Sequence, residues 1–86
     1  MSSTAQNTIL IVEDDDALRE ALCETAAIAG HHVLEAAHGH AALDLIDSQA
    51  IALVISDIQM KPMDGNQLLR EIRRRSRSLP VVLMTA

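Results

Sequence analysis

The chain has 86 residues, 49% hydrophobic and 22% charged, which suits one small globular domain and leaves no room for two. It contains no Phe, Tyr or Trp, so a core has to be assembled from Leu, Ile, Val, Met and Ala. A net charge of −5 argues against a general nucleic-acid surface, the lone Cys23 excludes an intrachain disulfide, and no apolar run approaches the length of a secretion signal or membrane span, so a cytoplasmic protein is expected.

Residues 1 to 7, MSSTAQN, are small and polar and read as a loose tail ahead of the domain. Thr8-Ile9-Leu10-Ile11-Val12 leaves no gap for a polar face, the pattern of a strand buried on both sides in a parallel sheet. It stops at Glu13-Asp14-Asp15-Asp16. A helix follows, with Asp15 or Asp16 as its N-cap and Leu18, Ala21, Leu22, Thr25, Ala26 and Ala29 on one face. Gly30 ends it. His32 to Glu35 predicts a brief second strand and Gly39 a turn, with Ala41, Ala42, Leu45 and Ile46 forming the apolar face of a second helix. Ala52 to Ser56 is the third strand, and Asp57 follows it directly. Pro62 and Gly65 punctuate the next loop. Gln67 to Arg75 predicts a third helix, with Leu68, Leu69 and Ile72 inward and arginines toward its C-terminal end. Pro80 opens a fourth strand, Val81 to Met84, and Thr85 and Ala86 come after it.

Strands and helices alternating at this spacing imply right-handed crossovers and a doubly wound parallel sheet of the α/β class. Ligands in such sheets bind at the carboxyl ends of the strands, where the strand order reverses. The acidic cluster, Asp57 and Thr85 all stand at such ends. Converging carboxylates repel, and a divalent cation relieves the repulsion. A set of oxygen ligands without His or Cys selects Mg2+, which typically takes one or two carboxylates and a phosphate oxygen. Asp57, standing singly at a central strand end, is the best candidate for a nucleophile that forms an acyl phosphate; Glu13, Asp14 and Asp15 are better suited to holding metal.

Other groups favour blander readings. His31, His32, His38 and His40 straddle a strand and a turn, so loop and helix-cap roles suit them better than zinc. The run of Arg70, Arg73, Arg74, Arg75 and Arg77 fits cations at a helix C-terminus and a solvated face. Cys23 reads as a partly buried structural thiol, and Met60 and Met63 as loop packing.

ILIVEDD at the first strand end, VISDIQMKPMDG around Asp57 and LPVVLMTA at the fourth strand resemble, in order and spacing, the receiver domain of two-component response regulators. The resemblance covers residues 8 to 86 and implies the flavodoxin-like topology with strand order 2-1-3-4. It implies further that Asp57 is the phosphoacceptor and Asp14 the direct Mg2+ ligand. Glu13 would act on the metal through water, and the backbone carbonyl of Gln59 would complete the protein's share of the shell. Thr85 would be the switch hydroxyl, with Ala86 the small residue that leaves room for the phosphodonor. That donor would be a phosphohistidine on a sensor histidine kinase or a small acyl phosphate, and no direct nucleic-acid or membrane contact is expected of this segment.

Two departures stand out. The family usually places its proline directly after the methionine, whereas this loop reads Met60-Lys61-Pro62-Met63. The family repeat is fivefold, so its fourth helix, fifth strand and fifth helix are not among these residues. With them go a phosphoryl-pairing lysine and an aromatic switch residue. The fourth strand is then expected to be a bare edge open to self-association. A deliberate truncation, a natural fragment and part of a longer protein are all compatible with this.

The rival to a phosphoacceptor is a non-phosphorylatable receiver fragment acting as an interaction or dimerisation module. A Mg2+-dependent phosphatase or nucleotide-binding fold of the same topology is weaker, because no GxGxxG or GxxxxGKS/T stretch exists.

Overall fold

The structure, a computed structural model, describes residues 7–85. Residues 1 to 6 of the expected tail, and the small residue Ala86, lie outside the described residues. The elements run β1 (Thr8–Val12), α1 (Asp16–Ile28), β2 (His32–Ala36), α2 (Gly39–Ser48), β3 (Leu53–Asp57), α3 (Gly65–Arg75) and β4 (Val81–Met84). All strand pairs are parallel, in the order β2-β1-β3-β4, so the doubly wound α/β sheet of order 2-1-3-4 is the observed one.

Strand β1 lies between β2 and β3, and every one of its residues is buried, which is why its sequence carries no polar alternation. Leu10, Val12, Ala36 and Val54 on one sheet face meet Ala42 and Leu43 of α2 and Leu68 and Ile72 of α3, forming the main core. Leu10, Val54, Leu68 and Ile72 are fully buried. Helix α1 packs on β1 and β2 from the other face. None of its residues is buried, and Leu18 is 41% exposed despite the amphipathic spacing. Among the described residues α1 packs mainly on β1 and β2, and part of its stripe stays uncovered.

The ends of the elements follow local chemistry. Asp15 is the N-cap of α1, accepting from the Leu18 N–H at 3.0 Å, and Gly30 takes the left-handed conformation (φ +97°) just past the helix. Helix α2 begins at Gly39 rather than after a turn there, because the His38 imidazole nitrogen accepts from the Ala41 N–H at 3.2 Å. Helix α3 begins two residues before the predicted Gln67, at Gly65. The Asp64 carboxylate accepts from the Gln67 N–H, and the Gln67 side chain accepts from the Asp64 N–H, closing a capping box. Asp57 is the last residue of β3 rather than the first beyond it. No helix among the described residues is long and apolar enough to cross a membrane.

Candidate metal and phosphoryl site

Strands β1 and β3 are neighbours with Val12 opposite Ser56, so the residues that leave their carboxyl ends emerge side by side. Carboxylate oxygens of Glu13, Asp14 and Asp57 lie within 4.8 Å of one another, the one such cluster of potential metal ligands among the described residues. Asp14 is exposed, Asp57 is 6% exposed and Glu13 only 1%.

Glu13 is the unusual member. Its Oε2 accepts from the Asp15 N–H at 3.0 Å, while Oε1 is buried without any hydrogen-bond partner. Burial pushes the Glu13 carboxyl above the usual carboxylate range. The Asp15 N–H opposes that shift, and neighbouring Asp14 and Asp57 add to it. A buried carboxylate oxygen facing two further carboxylates and no donor is the arrangement a cation or a metal-bound water would complete. The donor set is all oxygen, so the residues fit Mg2+.

Asp57 is held from both directions. Its Oδ1 accepts from the Gln59 N–H at 3.2 Å, and its carbonyl accepts from Ser56 Oγ at 2.9 Å. The following Ile58 N–H donates to the Met84 carbonyl of β4 at 3.0 Å, and the Ile58 carbonyl accepts from Gly65 N–H at 2.8 Å. Helix α3 therefore begins directly against the Asp57–Ile58 backbone. A Cβ on Gly65 would stand 2.5 Å from the Asp57 carbonyl oxygen, a distance that only glycine avoids.

Two clefts flank the carboxylates. Thr85, Met84, Leu18 and Leu22 line one of about 260 Å³ together with Glu13 and Asp57, which brings the predicted hydroxyl into the same hollow as the predicted acceptor. Gln59, Met60 and Lys61 line the other, about 440 Å³, with Asp14. All five predicted site residues thus gather at one sheet edge. The remaining groups stay apart from it. His38 caps α2, His31 Nδ1 lies 2.8 Å from Asn7 Oδ1, and Asn7 Nδ2 donates to the Gly30 carbonyl. Arg75 pairs with Asp47 at 2.8 Å, and Arg73 donates to the Ser76 and Leu79 carbonyls. Burial and Glu35 push the Cys23 thiol up, away from the thiolate.

Sequence reasoning missed two residues that shape the site. Gly65 read as loop punctuation, though its place just before a helical stretch and eight positions after Asp57 signals a close helix approach. Arg19 was not singled out. Its Nη1 donates to the Glu13 carbonyl at 2.8 Å, and its partners Asp16 and Glu35 stand on two different elements.

The family described as Response regulator receiver domain matches residues 9–86. The response regulator protein FleR of Pseudomonas aeruginosa is 51% identical over 78 residues, covering 91% of this chain and 16% of FleR. The regulatory protein AtoC of Escherichia coli is 41% identical over 83 residues, covering 96% of this chain and 18% of AtoC. The chain thus spans less than a fifth of either relative. Among solved structures, the response regulator TrrA of Thermotoga maritima in complex with Mg2+-BeF superposes with a TM-score of 0.89 at 34% identity, covering 93% of this chain and 70% of that one. TrrA has also been solved in complex with the histidine kinase ThkA.

Proposed function

The chain belongs to the response regulator receiver domain family, and from that premise we propose that it accepts a phosphoryl group on Asp57 from a phosphohistidine of a sensor histidine kinase. The observation that carries this reading is the convergence of three carboxylates within 4.8 Å, one of them with a buried oxygen that has no donor. Receiver domains are generally non-enzymatic signalling modules, so the acyl phosphate would itself be the signal.

In the proposed step an Asp57 carboxylate oxygen bonds to phosphorus as the phosphorus–nitrogen bond breaks, and the donor imidazole nitrogen keeps the electron pair. The 3.2 Å bond from the Gln59 N–H orients the Asp57 carboxylate for this attack. Mg2+, held by Asp14, Asp57 and the backbone carbonyl of Gln59, with Glu13 acting through water, would offset the charge that the carboxylates and phosphoryl oxygens share. Thr85 would hydrogen-bond the new phosphoryl oxygens from the cleft it lines with Asp57. The Mg2+-BeF complex of TrrA supports the metal and its kinase complex supports the donor, both by similarity. AfsQ1 of Streptomyces coelicolor, 39% identical over 79 residues, is a transcriptional regulatory protein, and by that similarity we propose a role in transcription regulation for this chain, at a cytoplasmic location.

A second reading has its own observation. Among the described residues strand β4 is an edge of the sheet, and Val82 on it is 49% exposed, which favours self-association through that strand. A chain that self-associates but cannot be phosphorylated would be an interaction module.

Intact mass after incubation with a small acyl-phosphate donor separates the readings. One added phosphoryl group is expected with Mg2+, lost with chelator, in Asp57→Ala, and strongly reduced in Asp14→Asn at limiting Mg2+. No added mass in the wild type would refute the phosphoacceptor reading and favour the interaction module.

A further inference from the structure

Arg19 has far more partners than a helix-surface arginine needs. It rises from the first turn of α1, and its side chain is only 14% exposed. Nη1 donates to the Glu13 carbonyl at 2.8 Å, Nη2 to Asp16 at 2.7 Å and Nε to Glu35 of β2 at 3.1 Å. One guanidinium therefore ties the β1–α1 turn to its own helix and to the neighbouring strand. A planar fork with fixed donor directions can do this, and a flexible ammonium cannot.

The Glu13 carbonyl matters because of what its peptide unit connects. The Glu13–Asp14 peptide plane fixes the directions in which two of the three clustered carboxylates leave the chain. Glu13 is pinned on its other flank as well, its N–H donating to the Ala36 carbonyl at 3.1 Å. Its carboxylate sits buried with one oxygen unpaired and two like charges nearby, so the preferred relaxation of a free turn would be to swing that carboxylate out to water. On the α1 side two bonds oppose this, that of the Asp15 N–H to Oε2 at 3.0 Å and that of Arg19 Nη1 to the carbonyl at 2.8 Å, and only the second fixes the peptide plane itself.

We propose that Arg19 is a positioning residue for the metal site: it latches the Glu13 carbonyl to α1 and β2 and so holds the Glu13 and Asp14 carboxylates converged on Asp57. The inference rests on the metal-site reading given above, and it assigns Arg19 no contact with metal or phosphoryl group. Its effect reaches Mg2+ through ligand placement alone.

The test measures Mg2+ affinity by calorimetric titration and amide exchange at Asp15, whose N–H is bonded to the Glu13 carboxylate. Arg19→Ala is expected to weaken Mg2+ binding about tenfold, as loss of an outer-shell partner does, and to speed Asp15 exchange in the metal-free protein. Arg19→Lys, which keeps the charge but not the fork, is expected to fall between the two and serves if the alanine variant does not fold. Arg75→Ala removes an equally well-paired arginine from the opposite face of the sheet and is expected to leave Mg2+ affinity within twofold of wild type. Wild-type affinity in both Arg19 variants would overturn the inference while leaving the metal site standing. An equal loss in Arg75→Ala would overturn it too, because the effect would then be general destabilisation. No Mg2+ binding by the wild type would overturn the metal reading and the inference together.

Discussion

Replacing Gly65 with alanine adds a single methyl group at the point where α3 meets the loop after Asp57. The new carbon would lie 2.5 Å from the Asp57 carbonyl oxygen, 2.8 Å from Ile58 Cα and 3.1 Å from the Asp57 carbonyl carbon. All three are backbone atoms, so no rotamer change relieves the overlap. Helix α3 cannot simply retreat, because Leu68 and Ile72 anchor it in the core at 0% exposure and the Gly65 N–H is bonded to Ile58 O at 2.8 Å. Forced overpacking of this kind costs about 1–3 kcal/mol, and weakening the Gly65–Ile58 bond adds roughly 1 kcal/mol. In a domain of this size each kcal/mol shifts Tm by about 4–8 °C, so the loss should be roughly 8–30 °C. The displaced backbone carries Asp57, so Mg2+ affinity should fall as well. Gly39→Ala is the matched control: the three atoms nearest its new carbon all belong to the Met63 side chain, and the closest, the sulfur at 2.6 Å, is on a flexible thioether that can shift where backbone cannot, leaving Cβ at 3.1 Å as the firmer contact. Thermal unfolding followed by circular dichroism reads both variants. A Gly65→Ala Tm within about 2 °C of wild type, or a larger loss in Gly39→Ala, would refute the close-approach argument.

Glu13 and the edge strand give two further expectations. The folded-state pKa of Glu13 is raised, so its contribution to stability is fully present below the unfolded carboxylate range and is lost as pH rises through the folded value. Glu13→Gln should therefore raise the Tm of the metal-free protein at neutral pH, with the gain shrinking toward about pH 4; a variant less stable than wild type at neutral pH would contradict this. If β4 pairs with a second copy, sedimentation velocity at micromolar concentration should show a concentration-dependent dimer, and a single monomer peak across the range would show the edge to be protected.

Much of this was legible in the sequence because it depends on local pattern. Ile9 to Val12 and Val54 to Ser56 are apolar or small without a polar face, which places both strands inside the sheet, and the carboxylates that follow them must then share an edge. The starts of α2 and α3 are less legible, because side chains decide them: Gly39 reads as a turn but opens α2, and α3 begins two residues before Gln67. His38 is an uncommon cap, and the Asp64–Gln67 box recruits Gly65 and Asn66 into a helix that their propensities disfavour. The stripe on α1 shows the limit of periodicity: Leu18, Ala21, Leu22 and Ala26 mark a face, but how far it is buried depends on what lies across it.

Arg19 was invisible for a different reason, and that reason bears on how the site works. Its bond to Asp16 is ordinary three-residue helix spacing, which sequence alone assigns to a solvated surface pair worth a few tenths of a kcal/mol. The bond to the Glu13 carbonyl depends on how the turn between β1 and α1 is folded, and the bond to Glu35 on the register of β1 against β2, in which Ile11 lies opposite Glu35 and Val12 opposite Ala36. That register brings Glu35 up beside α1 and sets the Ala36 carbonyl to receive the Glu13 N–H. One strand pairing thus holds Glu13 directly through its N–H and indirectly through Arg19 at its carbonyl. A carboxylate buried at 1% exposure with an unpaired oxygen persists only where the backbone around it is over-determined. The edge strand β2 contributes no carboxylate to the cluster, yet it fixes the peptide from which two of the clustered carboxylates project. Substitutions in β2 should accordingly act on metal affinity through Glu13, in proportion to how far they disturb Glu35 and Ala36.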